Sequence, residues 1–289
     1  MAAPMGPVQK TAFVLAGGGS LGAVQVGMLK ALAEESVSAD MVVGSSVGSI
    51  NGAYYAARPD RDGVAELERL WVTTKRSDIF PFGFRTLTRV IAKRDFLLSG
   101  DGLISLIERN LPYSKIENAR IALHIVTTDF LSGEVVVHSS GPAARAIAAS
   151  CAIPAAFPTM EINGRHLADG GLASNTPVKI AVQRGARRLI VLPTGYSCAL
   201  RKPPQGAIAS ALHGISLLTT GQIVNELEVI SEEIEYHVVP SLCPVTTSAY
   251  DFSQTRILIE RAAIQTRQWL ADGGLTKREI PDTLRPHNH

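Results

Sequence analysis

Cysteine and long hydrophobic runs are scarce in this sequence, and each absence excludes a class of protein. The three cysteines, Cys151, Cys198 and Cys243, share no C-x-x-C spacing and are too few for a disulfide scaffold, which indicates a reducing compartment. No run of about 20 consecutive apolar residues occurs, so no membrane-spanning helix is predicted. The N-terminal residues lack the apolar core of a secretory signal. We therefore expect a cytoplasmic protein that can visit a membrane surface but cannot cross it.

An excess of either charge is also missing. The 28 basic and 26 acidic residues give a formal net charge of +2 at pH 7, which is too even for a surface that follows nucleic acid. No group of His, Cys and Asp has the spacing of metal ligands, so the sequence predicts neither a metal nor another cofactor. With 46% hydrophobic and 19% charged residues, the composition is that of a folded globular protein.

Short apolar runs alternate with amphipathic segments along most of the chain. Residues 11–16, 41–44 and 188–193 read as strands that are buried on both faces, and helical patterns lie between such runs. Asp101 stands where it would cap a helix that runs to about residue 111. This alternation predicts an α/β fold with a mostly parallel central sheet and helices on both faces.

Two hairpins and a helical C-terminal part complete the predicted organisation. Residues 121–127 pair with residues 134–138 in the first hairpin, and Asn163-Gly164 forms the turn of the second. We expect a single domain over residues 1–289. Its motif-bearing core covers about residues 11–195, and its helical C-terminal part covers about residues 207–271.

One serine stands where a strand is expected to turn sharply into a helix. Gly44, Ser46 and Gly48 form a G-x-S-x-G sequence between the second predicted strand and the helix predicted over residues 47–57. The glycines let the turn close without Cβ clashes, and the turn exposes the serine hydroxyl above the sheet. The N–H group of Val47 then lies at a helix N-terminus, where negative charge is favoured. The pattern favours a nucleophilic Ser46 over a plain glycine-rich turn.

A glycine-rich loop after the first strand allows two interpretations. Gly17, Gly19 and Gly22 satisfy the G-x-G-x-x-G fingerprint of dinucleotide-binding proteins, which would suit a nucleotide-binding oxidoreductase. That fingerprint needs an acidic residue at the end of the second strand, whereas Asp40 precedes the strand. In an acyl-transfer enzyme, the same loop would offer the N–H groups of Gly18 and Gly19 to an oxyanion beside the serine.

An aspartate followed by two glycines leaves the second predicted hairpin. The glycines Gly170 and Gly171 would let the carboxylate of Asp169 stand at a loop tip, although Asp-Gly pairs are also common in plain turns. His213 and His237 follow in the order that a Ser-Asp-His triad needs, so a triad esterase stays an alternative.

Taken together, these motifs resemble those of the patatin-like phospholipases. The glycine loop, the serine turn, a small-residue S-x-A-I-P-x-x-F-P block at residues 150–158 and the D-G-G loop occur in that family's order. The resemblance implies a patatin-like three-layer sandwich and a serine acyl hydrolase of lipid esters. It implies Ser46 as nucleophile, Asp169 as its base and an oxyanion hole from the glycine loop. Leu21 replaces the basic residue that the family carries in this loop.

A serine–aspartate dyad places a physical demand on its pocket. An ordinary aspartate, with a pKa of about 3.9, is a poor base for a serine hydroxyl. The site must raise that pKa by desolvation and hold the two groups within hydrogen-bond reach. We therefore expect a water-poor pocket around Asp169.

Basic and aromatic residues alternate over residues 75–98, a segment without regular periodicity. Phe82 and Phe84, with the arginines and lysines around them, would suit a flap that touches an anionic lipid surface. An ordinary connector with its aromatic rings in the core explains the pattern equally well. The expected partner is a lipid or ester substrate, with or without peripheral membrane contact, and the sequence does not predict the oligomeric state.

Overall fold

The computed structural model describes six parts of the chain: residues 10–74, 100–154, 156–196, 198–200, 202–205 and 207–285. The predicted lipid-contacting flap over residues 75–98 lies outside these ranges, so that hypothesis stays a prediction.

A mixed sheet of eight strands forms the centre of the described structure. The strands are β1 Thr11–Leu15, β2 Met41–Ser45, β3 Ala122–Asp129, β4 Val135–His138, β5 Met160–Ile162, β6 Arg165–Asp169, β7 Arg188–Leu192 and β8 Glu235–Val238. Five of them run parallel in the order β3-β2-β1-β7-β8, and β4, β5 and β6 add antiparallel pairs. The prediction of a mostly parallel central sheet is confirmed.

Helices cover both faces of this sheet. They are α1 Gly22–Glu34, α2 Val47–Ala57, α3 Arg61–Thr73, α4 Asp101–Asn110, α5 Ala143–Ser150, α6 Gly171–Ser174, α7 Val178–Gln183, α8 Ala207–Glu228 and α9 Thr255–Ala271. Alternate residues of β1 point to opposite faces, so Phe13 belongs to the apolar cluster that includes α1 and α9, while Val14 belongs to the cluster that includes α7 and α8. Within the described ranges, no helix is both long and apolar enough to span a bilayer.

Both predicted hairpins are present. β3 pairs antiparallel with β4, and β5 pairs antiparallel with β6. At the second turn, Asn163 and Gly164 have φ angles of 53° and 75°, as a type I′ turn requires. The hairpin delivers Asp169 as the last residue of β6.

The predicted cap of α4 is wrong. Gly100 occupies the N-cap position without a side-chain hydrogen bond, and Asp101 is the first residue of the helix. An acidic residue is favoured both at the cap and in the first turn, because both positions meet the positive end of the helix dipole. Residue type alone therefore could not separate the two positions.

The extra length of β3 relative to β2 brings two chain segments together at one edge of the sheet. β2 pairs with β3 as far as Ser45, which lies opposite Val126. β6 pairs with β3 from Asp169, which lies opposite Thr127, the next residue along. Because β4 occupies the other side of β3 over these positions, β6 continues along the side that β2 has left. The end of β2 and the end of β6 therefore meet.

Candidate active site

Ser46 forms a sharp turn between β2 and α2. Its backbone angles, φ 51° and ψ −127°, are unfavourable for a residue with a Cβ atom, and such strain costs on the order of 1–3 kcal/mol. The chains approach closely around this turn: a Cβ on Gly44 would lie 2.4 Å from the Gly48 carbonyl oxygen, and one on Gly48 would lie 2.3 Å from the Leu15 carbonyl oxygen. A side chain at either glycine of the G-x-S-x-G sequence would clash with a carbonyl oxygen, so the turn requires glycine at both positions.

Neighbouring hydroxyl groups hold the strained turn. The N–H group of Ser46 donates to Ser150 Oγ over 2.9 Å, and Ser49 Oγ donates to the Ser46 carbonyl oxygen over 2.6 Å. All three serines are buried, and Ser46 is 7% exposed. The backbone of Ser46 is therefore held on both sides by hydrogen bonds that do not use its own hydroxyl group.

The structure brings Ser46 and Asp169 into direct contact, although 123 positions separate them. Ser46 Oγ donates to Asp169 Oδ2 over 2.6 Å, and the N–H group of Gly171 donates to Asp169 Oδ1 over 2.8 Å. The Asp169 backbone is fixed as well, because its N–H group donates to the Ala152 carbonyl oxygen and its own carbonyl oxygen accepts from Thr128 Oγ1. Both oxygens of the carboxylate thus have defined partners.

Burial changes the acid–base properties of this carboxylate. Desolvation raises the pKa of Asp169 to about 6, while the hydrogen bonds from Ser46 and Gly171 oppose the rise. The Cys151 thiol and the Tyr250 phenol face the same carboxylate, and burial raises the pKa of each, that of Tyr250 to about 12. In the neutral pH range Asp169 is therefore the titrating group of this cluster.

Three tertiary hydrogen bonds anchor the glycine-rich loop. The N–H group of Gly17 donates to the Asn175 carbonyl oxygen, and that of Ser20 donates to the Ala249 carbonyl oxygen. Thr194 Oγ1 donates to the Gly17 carbonyl oxygen over 2.7 Å. The ends of the loop are thereby fixed against three separate parts of the chain.

The predicted oxyanion donors lie between these anchors, at Gly18 and Gly19, and at Val47, the first residue of α2. The N–H groups of Gly18, Gly19 and Val47 have no acceptor within the described residues. Gly19 has a φ angle of +58°, and a Cβ there would lie 2.3 Å from the Ala249 carbonyl oxygen, so only glycine fits. Of the other predicted support glycines, Gly17 lies on this loop, Gly22 begins α1, and Gly170 and Gly171 follow β6 at the start of α6.

Ser46 opens onto two adjoining cavities. The first is mainly apolar and is lined by Gly19, Ser46, Val47, Ile50, Tyr54, Leu70, Trp71, Thr74, Leu103, Leu106, Ile107, Cys151, Ile153, Phe157 and Phe252. The second contains the glycine loop, Asp169 and part of α8. The Ser46 hydroxyl and the Asp169 carboxylate therefore lie where the apolar cavity meets the cavity lined by the glycine loop.

The residues of the alternative hypotheses lie elsewhere. His237 lies on β8, where its ring contacts Glu235 Oε1 and the Lys277 carbonyl oxygen. Neither His237 nor His213 lines either cavity. Asp40 Oδ2 accepts from the N–H group of Thr11, at the opposite end of β1 from the glycine loop. Among the described residues, no group of three or more His, Cys, Asp or Glu side chains could hold a metal ion.

A buried amide network behind the loop is a feature that the sequence analysis missed. Gln25 Nε2 donates to the carbonyl oxygens of Ala16 and Leu192, and Gln25 Oε1 accepts from Asn51 Nδ2. Asn51 Oδ1 accepts from Trp71 Nε1, which joins the loop to the wall of the apolar cavity. A glutamine and an asparagine inside otherwise apolar, small-residue helices were the available signal, because buried amides need partners.

Comparisons with known proteins agree on one family. The family model described as patatin-like phospholipase matches residues 13–182. Patatin-like phospholipase domain-containing protein 6 of Mus musculus is 32% identical over 186 residues, which cover 64% of this chain and 13% of that protein. Lysophospholipase NTE1 of Cryptococcus neoformans is 30% identical over 187 residues, which cover 65% of this chain and 11% of that protein. The chain thus spans only a small part of the length of these relatives.

One solved structure of similar architecture is VipD from Legionella pneumophila. It superimposes with a TM-score of 0.46 at 15% sequence identity, and the match covers 92% of this chain and 67% of that one.

Proposed function

The chain belongs to the patatin-like phospholipase family, and we propose that it is a serine acyl hydrolase that cleaves carboxylic ester bonds of lipids with a Ser46–Asp169 dyad. The observation that carries this proposal is the 2.6 Å hydrogen bond from Ser46 Oγ to the buried Asp169 carboxylate. That pair stands between an apolar cavity and the glycine-rich loop, on which the N–H groups of Gly18 and Gly19 have no acceptor among the described residues.

In the first half of the cycle, Ser46 is acylated. Asp169 Oδ2 takes the proton of Ser46 as its Oγ attacks the ester carbonyl carbon. Negative charge then develops on the carbonyl oxygen, where the N–H groups of Gly18, Gly19 and Val47 stabilise it. The protonated Asp169 returns the proton to the leaving alcohol, and the acyl group stays on Ser46.

In the second half, water releases the acid. Asp169, again ionised, takes a proton from a water molecule that attacks the acyl-enzyme, and the same donors hold the second oxyanion. The proton then returns to Ser46 Oγ. The sum is one ester and one water converted into one acid and one alcohol.

The apolar cavity supports a lipid acyl chain as the group that is transferred. Burying each CH₂ of such a chain is favourable by about 0.8 kcal/mol, so aliphatic and aromatic walls beside the nucleophile select long apolar acyl groups. The names of these relatives, a phospholipase domain protein and a lysophospholipase, support phospholipid esters as a substrate class. Helix α8 packs against α6 and α7, and α9 packs against α1 and α3, so the helical C-terminal part shares the apolar clusters of the core, which supports one hydrolase domain.

The nucleotide-binding alternative has less support. Asp40, the acidic residue nearest the second strand, is bonded at the wrong end of the sheet to serve a ribose. The glycine loop itself is packed against Asn175, Thr194 and Ala249. A triad is disfavoured by the positions of His213 and His237.

Covalent labelling tests the nucleophile. A fluorophosphonate probe should form one adduct on Ser46, identified by peptide mapping, because an activated hydroxyl attacks such probes readily. Labelling that persists in folded Ser46→Ala, or a folded wild-type protein that is never labelled, would contradict the assignment.

Kinetics of four variants test the base. With Asp169 as the direct base, Asp169→Asn should lose nearly as much kcat/KM as Ser46→Ala, while His213→Ala and His237→Ala stay active. In a triad, removing the histidine would cost about as much as removing the serine, on the order of 10⁴-fold. An inactive histidine variant beside a partly active Asp169→Asn would exclude the dyad.

A further inference from the structure

The dyad leaves one sequence motif unexplained, the small-residue block at residues 150–158. We propose that Ser150, the first residue of that block, is a positioning residue that holds the nucleophile turn and the base loop in register, an inference that rests on the proposed function. Ser150 is the last residue of α5 and is fully buried. It contacts both of the segments that carry the dyad.

The hydroxyl group of Ser150 bridges the turn that follows β2 and the middle of β3. It accepts from the N–H group of Ser46 over 2.9 Å and donates to the Val126 carbonyl oxygen over 2.6 Å. An amide N–H can only donate and a carbonyl oxygen can only accept, so the direction of both bonds is fixed. The hydroxyl therefore stands where the ladder between β2 and β3 ends, opposite the last pair, Ser45 and Val126.

The backbone after α5 holds the other half of the dyad. The N–H group of Gly170 donates to the Ser150 carbonyl oxygen over 3.1 Å, and that of Asp169 donates to the Ala152 carbonyl oxygen over 3.0 Å. Ser150 thus bonds the turn of Ser46 through its side chain and the loop of Asp169 through its main chain. A shift of either segment relative to the other would therefore strain the hydrogen bonds of this residue.

The strained backbone of Ser46 gives the hydroxyl its importance. A residue with a positive φ angle keeps that conformation only while its surroundings over-determine it. Removing the Ser150 hydroxyl leaves a buried N–H group and a buried carbonyl oxygen unpaired, which favours relaxation of the turn. Relaxation would move Ser46 Oγ away from Asp169 without removing any aliphatic or aromatic side chain that lines the apolar cavity.

Ser150→Ala is the direct test, with a short soluble ester as substrate. We expect kcat to fall by roughly 10- to 100-fold while KM stays within about twofold, because misplacement of the reacting group, not loss of binding, is the defect. Ser150→Thr keeps the hydroxyl and should recover most of the lost kcat. An unchanged kcat in Ser150→Ala, or an equally inactive but folded Ser150→Thr, would overturn the proposal.

The pH profile of kcat/KM gives a second measurement, because general destabilisation of the fold would not shift its acidic limb to higher pH. The hydrogen bond from Ser46 lowers the pKa of Asp169, so loosening that bond raises it. Because Asp169 must be ionised to act, the acidic limb of kcat/KM should move to higher pH in Ser150→Ala. The Cys151 thiol and the Tyr250 phenol also face the carboxylate but stay neutral in this range. A limb that stays in place would count against the proposal.

Ser45→Ala is the matched control. Ser45 is equally buried, but its hydroxyl has no hydrogen-bond partner among the described residues, so its removal should leave kcat and the pH profile unchanged. A kcat loss in Ser45→Ala equal to that in Ser150→Ala would show that any deletion in this region is harmful.

Hydrogen exchange separates a failure of this proposal from a failure of the proposed function. Ser150→Ala should speed amide exchange in the peptides that contain Ser46 and Gly170, a result that needs no turnover. If the wild-type protein hydrolyses no ester, the function fails while exchange still reports the positioning. If Ser150→Ala does not fold, Ser150→Cys takes its place and must show the same faster exchange. Unchanged exchange at both peptides in the folded variant would overturn the proposal.

Discussion

The raised pKa of Asp169 predicts an acidic limb in the pH dependence of catalysis. Desolvation raises that pKa to about 6, against about 3.9 for an ordinary aspartate. If Asp169 is the base, kcat/KM follows its ionised fraction in the free enzyme. At pH 5 roughly one tenth of Asp169 is then ionised, whereas an unperturbed aspartate would be more than nine tenths ionised. We therefore expect kcat/KM at pH 5 to be about one tenth of its plateau above pH 7, and about one hundredth at pH 4.

The assay needs a substrate and a readout that do not titrate in this range. An uncharged short-chain ester, with the released alcohol quantified by chromatography after quenching, meets both conditions. Tryptophan fluorescence at each pH, from Trp71 and Trp269, checks that the protein stays folded. A profile that is flat to pH 5 and bends only near pH 4 would refute the desolvation argument. A second control, the same profile for His213→Ala, should show the same limb.

Three further predictions concern the base, the glycine loop and the apolar cavity. Because burial raises the pKa of Asp169, its protonated form stabilises the wild-type fold fully below about pH 3.9, and this stabilisation is lost as the pH rises through about 6. The amide in Asp169→Asn does not titrate, so the free energy of unfolding of this variant relative to wild type should grow by roughly 2 to 3 kcal/mol between pH 4 and pH 7 in urea titrations. A pH-independent difference would contradict this. Gly19→Ala should lower kcat/KM by about 10²- to 10³-fold, because the new Cβ meets the Ala249 carbonyl oxygen and displaces an oxyanion donor. Gly164→Ala is the control: it also lies at a positive φ angle but in open space, so it should reduce stability without reducing kcat/KM. Phe252→Ala should reduce kcat/KM for a dodecanoyl ester more than for a butyryl ester, since it removes a wall of the apolar cavity; equal losses would indicate a folding role instead.

Local features were predictable from the sequence because local physics fixes them. Helix α2 runs over residues 47–57 as its pattern predicts, and the type I′ turn at Asn163 follows from residue type. The strand-to-helix turn at Ser46 was recognisable because only closely spaced glycines permit it. The order of four motifs indicated the family. What the sequence could not separate was an N-cap from a first-turn position at Asp101, since both suit an acidic side chain.

Only the tertiary structure decided which groups meet. Asp169 reaches Ser46 because β6 continues along β3 where β2 ends, and that register depends on pairing between strands far apart in sequence. The sulfur atoms of Cys198 and Cys243 lie 3.9 Å apart, a proximity that their spacing did not indicate. Ser150 bonds through a hydroxyl, a group that nearly any buried serine could offer. Spacing along the chain encodes the conformation of neighbouring residues, whereas these contacts arise from packing of distant segments, which no short pattern records.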